Sequence, residues 1–230
     1  MNRVFVVLCG CILFIVILYY LYSRSQPYDE CIIEETISTP DGIIQIVDEQ
    51  CKEGMPHTTD ANTIRMSRKT YDSQRVESVL VHERIHLSQK RDPQAWKDFY
   101  AKYWNYEISK TPPTELPDIY IRSLRPNPDT SDTPWAIWEK RYVFFPNSSQ
   151  GKLRDAKVIV WDIVTNKEVP IPTRWKEFFC NSDGECPSQY EHPHEITAEF
   201  ITDTQQSTAS SHLYTWIEKT NVNKVYSSIL

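Results

Sequence analysis

Basic charge, histidine and closely spaced cysteine are all scarce in this 230-residue chain. Acidic side chains outnumber basic ones by 31 to 25, giving a net charge of −6. A chain of that sign lacks the field that attracts phosphate backbones, which argues against nucleic acid as a partner. None of the six cysteines is paired at Cys-x-x-Cys spacing, so a cysteine-rich zinc site is not expected. No internal repeat or long low-complexity run is present. Histidine occurs only six times, and two of the six fall in one pentapeptide.

That pentapeptide is His82-Glu83-Arg84-Ile85-His86. On a helix, positions i and i+4 share a face, so both imidazoles can reach one metal ion. Glu83 stands one step round, where it can take a proton from a water on that metal. The setting is helical. Asp72 or Ser73 can cap the start, and Val76, Val79, Leu80, Val81, Ile85 and Leu87 make the segment apolar over most of its circumference. Asp92-Pro93 opens a new helix, which ends the first near Lys90. A helix apolar nearly all round is buried, so its two histidines and its glutamate need partners. The competing reading is a surface helix on which they are merely solvated.

Two histidines and a water leave tetrahedral zinc one protein ligand short. The candidate lies far downstream, in Glu191-His192-Pro193-His194-Glu195-Ile196-Thr197-Ala198-Glu199. Pro193 suits a helix start, and Glu195 and Glu199 fall on one face at i and i+4. Carboxylates that close repel unless a cation or histidine stands between them. Glu195 is therefore the expected third ligand, with His192 and His194 as fallbacks. Glu199 is expected to orient a ligand histidine by accepting its ring N–H. An ordinary acidic first turn is the plainer alternative.

With those residues in view, the chain resembles the gluzincin metallopeptidases, the group that contains thermolysin and neprilysin. The resemblance implies a zincin-like α+β domain, zinc held by His82, His86 and Glu195, Glu83 as catalytic base and a peptide or protein substrate. It covers two short motifs. The second acid here is Glu where the family usually has Asp, the stretch between the motifs is longer, and neprilysin's Asn-Ala-x-Tyr and Gly-Gly segments are missing. For the group that stabilises the tetrahedral intermediate, His212, Tyr214 and His57 are available. The stretch from Gly54-Met55-Pro56-His57-Thr58 to Leu87-Ser88-Gln89 also resembles small uncharacterised His-Glu-x-x-His proteins of large DNA viruses.

Val4 to Tyr22 is free of charge and about long enough to cross a hydrocarbon core. Arg3 and Arg24 flank it, and Tyr19, Tyr20 and Tyr22 crowd the far end like an interfacial belt. Tyr20 to Ser25 is a poor cleavage site, so residues 1–25 read as an uncleaved signal anchor rather than a signal peptide. The charge bias places the N-terminus in the cytoplasm and residues 26–230, one compact domain, on the lumenal or extracellular side or on a viral membrane.

Cysteine usage fits that orientation. Cys9 and Cys11 lie in the apolar segment, and the other four form two local pairs. Cys31 and Cys51 flank an expected hairpin turning at Pro40-Asp41-Gly42, while Cys180 and Cys186 flank turn-forming Asn181-Ser182-Asp183-Gly184. Both pairs are expected as disulfides, and Asn147-Ser148-Ser149 is a glycosylation acceptor if the region is lumenal. Trp96, Phe99, Tyr100, Tyr103 and Trp104 recur at helical spacing and read as a packed helix. Lys110 to Thr133 is proline-dense and reads as a surface connection. Ala136 to Phe145 and Ala156 to Val164 read as one hairpin, and His212 to Lys219 as a last helix.

Two functions fit these residues. One is a membrane-anchored zinc metallopeptidase. The other is a non-catalytic membrane-anchored virion or envelope protein that keeps a zincin-like fold.

Overall fold

The Pro40-Asp41-Gly42 turn joins the antiparallel strands β1 (Ile33–Thr39) and β2 (Gly42–Val47) as expected. Gly42 has φ +149°, and a Cβ there would collide with the carbonyl oxygen of Asn62, so only glycine fits. β2 then pairs in parallel with β4 (Thr63–Ser67), whose other side carries the short strand β3 (His57–Thr58). The order is β1-β2-β4-β3. Alternate residues Ile44, Ile46, Ile64 and Met66 face one way and pack on Leu80 and Leu87 of the helix that follows.

The computed structural model describes residues 31–148, 151–152 and 155–220. A four-residue helix α1 (Arg68–Tyr71) precedes α2 (Val76–Arg91), which carries the His-Glu-x-x-His motif. α2 begins later than expected. Arg75, not Asp72 or Ser73, occupies its N-cap position, and no side chain caps it. Asp92 does cap α3 (Pro93–Phe99), accepting the Ala95 N–H at 3.1 Å. The chain widens into a single π turn over Tyr100–Trp104 and stops at Asn105 in the left-handed region. Trp96, Phe99, Tyr100 and Trp104 are buried in the largest apolar cluster, so the aromatic spacing belongs to the core.

A second sheet follows, an antiparallel meander of β5 (Tyr106–Ser109), β6 (Trp135–Trp138), β7 (Tyr142–Asn147), β8 (Lys157–Asp162) and β9 (Lys167–Glu168). The expected strand over Ala136 to Phe145 is in fact two. Glu139 and Lys140, at φ 51° and 55°, turn the chain between β6 and β7. The proline-dense connection holds α4 (Asp118–Arg122) and a 3-10 turn over Pro128–Thr130. Helices α5 (Thr173–Phe179), α6 (Pro193–Asp203) and α7 (Thr208–Lys219) complete the chain, the last starting four residues before the expected His212 behind a Ser207/Ser210 capping box.

Both expected disulfides are present. Cys31–Cys51 ties the approach to β1 to the turn after β2, with Cα atoms 4.8 Å apart. Cys180–Cys186 closes the loop after α5 at 4.1 Å. Within that loop the Asn181 side chain accepts the N–H groups of Asp183 and Glu185, the local bonding that makes the closure cheap.

The expected fold class, a zincin-like α+β domain behind a transmembrane helix, is corrected by these elements. The described chain is a mixed α/β arrangement with two separate sheets, one of them part parallel. Among the described residues no helix is long and apolar enough to cross a membrane. The anchor expected over Val4 to Tyr22 lies outside the described residues. What positions the site is the direct packing of α2 against α6.

Candidate metal centre

α2 presents His82 and His86 one turn apart, and α6 brings Glu195 to both. The Nε2 atoms of the two histidines are 3.2 Å apart. Glu195 Oε2 lies 3.4 Å from each of them. The three atoms form a nearly equilateral triangle. Ligands about 2.0–2.1 Å from a tetrahedral zinc sit about 3.3–3.4 Å from one another, so the triangle has the size of one face of that tetrahedron. These three residues are also a group whose ligand atoms all lie close enough together to hold one ion.

Glu195 is the most deeply buried of the three. Its side chain is 0% exposed, and neither carboxylate oxygen has a hydrogen-bond partner. A bare buried carboxylate costs several kilocalories unless a positive charge stands against it. Burial pushes the Glu195 pKa up, but His86 and His82 outweigh that and hold it below the usual carboxylate range. Burial likewise opposes charge on His86, yet the carboxylates of Glu195 and Asp129 prevail and lift its pKa to about 10. The cluster draws positive charge to its centre.

Glu83, one residue on from His82, is 3% exposed. Burial pushes its carboxyl well above the ordinary range, with the charges of Asp129 and Glu195 adding to the effect and His86 opposing it. Its Oε2 has no hydrogen-bond partner. The residue lines a cavity of about 250 Å³ together with His82, Met55, Asn127, Asp129 and Gln189. A larger cavity of about 1040 Å³ between α6 and α7 contains none of the three ligand residues and meets the first only at Ser78 and Thr202. The smaller one is the cavity next to the chemistry.

Several other expected residues stand elsewhere. Glu199 does not touch a histidine: its two oxygens accept the Ser188 and Gln189 N–H groups at 2.7 and 3.0 Å, fixing the loop that forms one wall of the cavity. His192 spends both nitrogens on backbone. Nδ1 accepts the His194 N–H at 3.2 Å, and Nε2 donates to the Thr133 carbonyl at 3.0 Å. Neither His192 nor His194 joins the ligand triangle. His212 pairs with the Tyr103 carbonyl, and the Tyr214 hydroxyl donates to the Phe200 carbonyl; neither lines the cavity beside Glu83. Asn147 lies at the end of β7 and donates its side-chain N–H to Ser123 Oγ. His57 stands close to Cys31 and Cys51, but their sulfurs are joined to each other.

Two residues that sequence reasoning missed support the site. Gln89 Oε1 lies 2.7 Å from His86 Nδ1 and so holds the back of that ring. Its signal was present, at i+3 from His86 on a buried helix face. Asp129 had no local signal. Its Oδ1 accepts the Thr58 N–H at 2.8 Å, the Thr58 hydroxyl, and Lys90 Nζ at 3.3 Å, tying β3 and α2 to the 3-10 turn beside Glu83.

Comparison of the chain with protein-family models, with curated proteins and with solved structures gives no match in any of the three.

Proposed function

We propose that this chain is a zinc-dependent peptidase, with His82, His86 and Glu195 as metal ligands and Glu83 as general base. The observation that carries the reading is the triangle of ligand atoms closed by a buried carboxylate that faces the two imidazoles and meets no other hydrogen-bond donor, with an unengaged glutamate oxygen beside it. Three protein ligands of nitrogen and oxygen leave one position open, which is the pattern of catalytic zinc; structural zinc is closed by four. When bound, zinc supplies Lewis-acid polarisation and lowers the pKa of a water to about 7. Glu83 is then the group placed to take the proton of the attacking water and to return it to the leaving amine. The two disulfides support an oxidising compartment as the place of action.

A second reading is a non-catalytic protein that keeps the ion for structure. In its favour, the two residues foreseen as stabilisers of the tetrahedral intermediate, His212 and Tyr214, are engaged away from the cavity. Cleavage of a peptide library by zinc-loaded protein separates the readings. The peptidase reading expects turnover in the wild type, and in Glu83→Gln retained zinc with turnover lost by about 10²–10⁴-fold, the usual worth of a general base. Equal turnover in both proteins would remove Glu83 from the mechanism. No turnover in either would leave the structural reading.

A further inference from the structure

A chain of hydrogen bonds runs from the first turn of α6 to the back of His86, and its direction can be worked out atom by atom. Thr197 Oγ1 donates to the Pro193 carbonyl at 2.7 Å. With its one proton committed there, Thr197 can only accept from the Tyr100 hydroxyl, 3.1 Å away. Burial pushes the Tyr100 pKa up, which keeps that hydroxyl a donor. Tyr100 in turn accepts from Gln89 Nε2 at 3.1 Å. The same Nε2 donates to the His194 carbonyl, also at 3.1 Å. A carbonyl accepts and never donates, so the Gln89 amide cannot turn over without setting two acceptors against each other. Its Oε1 is thereby fixed toward His86 Nδ1.

We propose that Gln89 is a positioning residue that sets the tautomer of His86, and that Pro193 and His194, two backbone carbonyls next to the third ligand, dictate that setting through Tyr100 and Thr197. Because Gln89 Oε1 only accepts, His86 Nδ1 must carry a proton. When the ring gives up its other proton, to base or to a metal, the lone pair is left on Nε2, the atom that faces His82 and Glu195. The helix that supplies the carboxylate ligand thus also decides which nitrogen of the facing helix can bind metal. Glu199, the residue whose spacing suggested this task, is occupied by the 188–189 loop. The inference rests on the metal reading above, and the experiment is chosen so that the two fail separately.

Three full-length proteins test it, by long-range proton–nitrogen NMR of the imidazoles and by competition titration of zinc. In the wild type, His86 should show a proton on Nδ1 and, on zinc addition, a metal-shifted Nε2. Gln89→Met fills the space without accepting, and zinc affinity should fall by about 10–100-fold, as loss of such a partner does. Gln89→Glu restores the acceptor toward Nδ1, with its second oxygen protonated to donate to the His194 carbonyl in place of the amide N–H, and should recover most of that loss. If Gln89 only filled space, a buried carboxylate would be at least as damaging as methionine. A zinc-loaded wild type with metal on Nδ1, unchanged affinity in Gln89→Met, or a Gln89→Glu no better than Gln89→Met would each overturn the assignment. A wild type that takes up no zinc would sink the metal reading alone, because the Nδ1 proton and its bond to Gln89 can still be read in the zinc-free protein once the ring is titrated to its neutral form. Finding that proton absent there would sink the tautomer assignment too.

Discussion

His86 and His192 are both buried imidazoles close to Glu195, and their surroundings drive them in opposite directions. The desolvation of burial works against the charged form of each. His86 turns Nε2 onto the Glu195 carboxylate, and its pKa rises to about 10. His192 turns its nitrogens onto backbone groups, and burial leaves its pKa near 4. What separates a candidate ligand from a helix cap here is the group each ring faces, since burial and neighbourhood are shared. Proximity in sequence points the wrong way, because His192 lies three residues from Glu195 and His86 far from it.

The largest effect that can test this contrast is loss of the metal. His86→Ala should lower zinc from one ion per chain to background by elemental analysis. His192→Asn, which keeps a good helix cap, should retain the full ion. Equal loss in both would show that the ligand set is wrong.

Glu195→Gln should make the two histidines alike. With the carboxylate replaced by an amide, burial would act on His86 without opposition from its nearest anion. Its pKa, followed by NMR in zinc-free protein, should fall from about 10 toward or below the ordinary value. A pKa that stayed near 10 would move the cause to Asp129.

A smaller effect comes from His192 and acts through stability. Its folded pKa, near 4, lies below the ordinary 6.5, so between those values the unfolded chain binds the proton and the folded chain does not. The stability that His192 contributes is therefore full above pH 6.5 and declines as pH falls toward 4. Between pH 7 and pH 5 that contribution should fall by about 2 kcal/mol. Glu191, whose pKa burial raises to about 8, acts in the opposite sense over the same step, so the readout is the difference between two proteins. In denaturant unfolding the wild type should fare about 2 kcal/mol worse on that step than His192→Asn.

The smallest expected change is in Glu199→Gln. This residue holds the Ser188 and Gln189 N–H groups and no histidine. Zinc affinity should stay at the wild-type value while KM for any cleaved peptide rises modestly, because one wall of the cavity loosens. A loss of zinc affinity as large as that of Gln89→Met would return Glu199 to the back of a ligand ring.

The parts of the site that could be read in the sequence were those whose geometry is local. His82, Glu83 and His86 are tied by one helical turn, and Glu195 follows a proline that opens a helix. Gln89 was within the same rule, at i+3, but an amide carries no chemical flag comparable to an acid or a histidine. Glu199 misled because its helical position is correct while its partner, the 188–189 backbone, is set by a loop. Asp129 meets Thr58 and Lys90 across 71 and 39 residues, and no periodicity reports such a contact. The β6–β7 turn was missed for a related reason: Glu139 and Lys140 take left-handed conformations that glycine or asparagine usually marks. The fold class needed correction because its two sheets, one with a parallel pair, are long-range pairings that short motifs do not encode.

The meander from β5 to β9 is an excursion of the chain between α2 and α6. The two helices of the candidate centre pack directly on each other, yet the interval between them is not slack. Its Asp129 ties β3 and α2 together beside Glu83, and its Thr133 carbonyl holds His192 at the start of α6. Residues added or removed at the exposed turns of the meander would change only the length of the path, whereas a change that displaced Asp129 or Thr133 would reach the centre. What the long interval has to preserve is its two anchor points, and mileage along the chain says nothing about them.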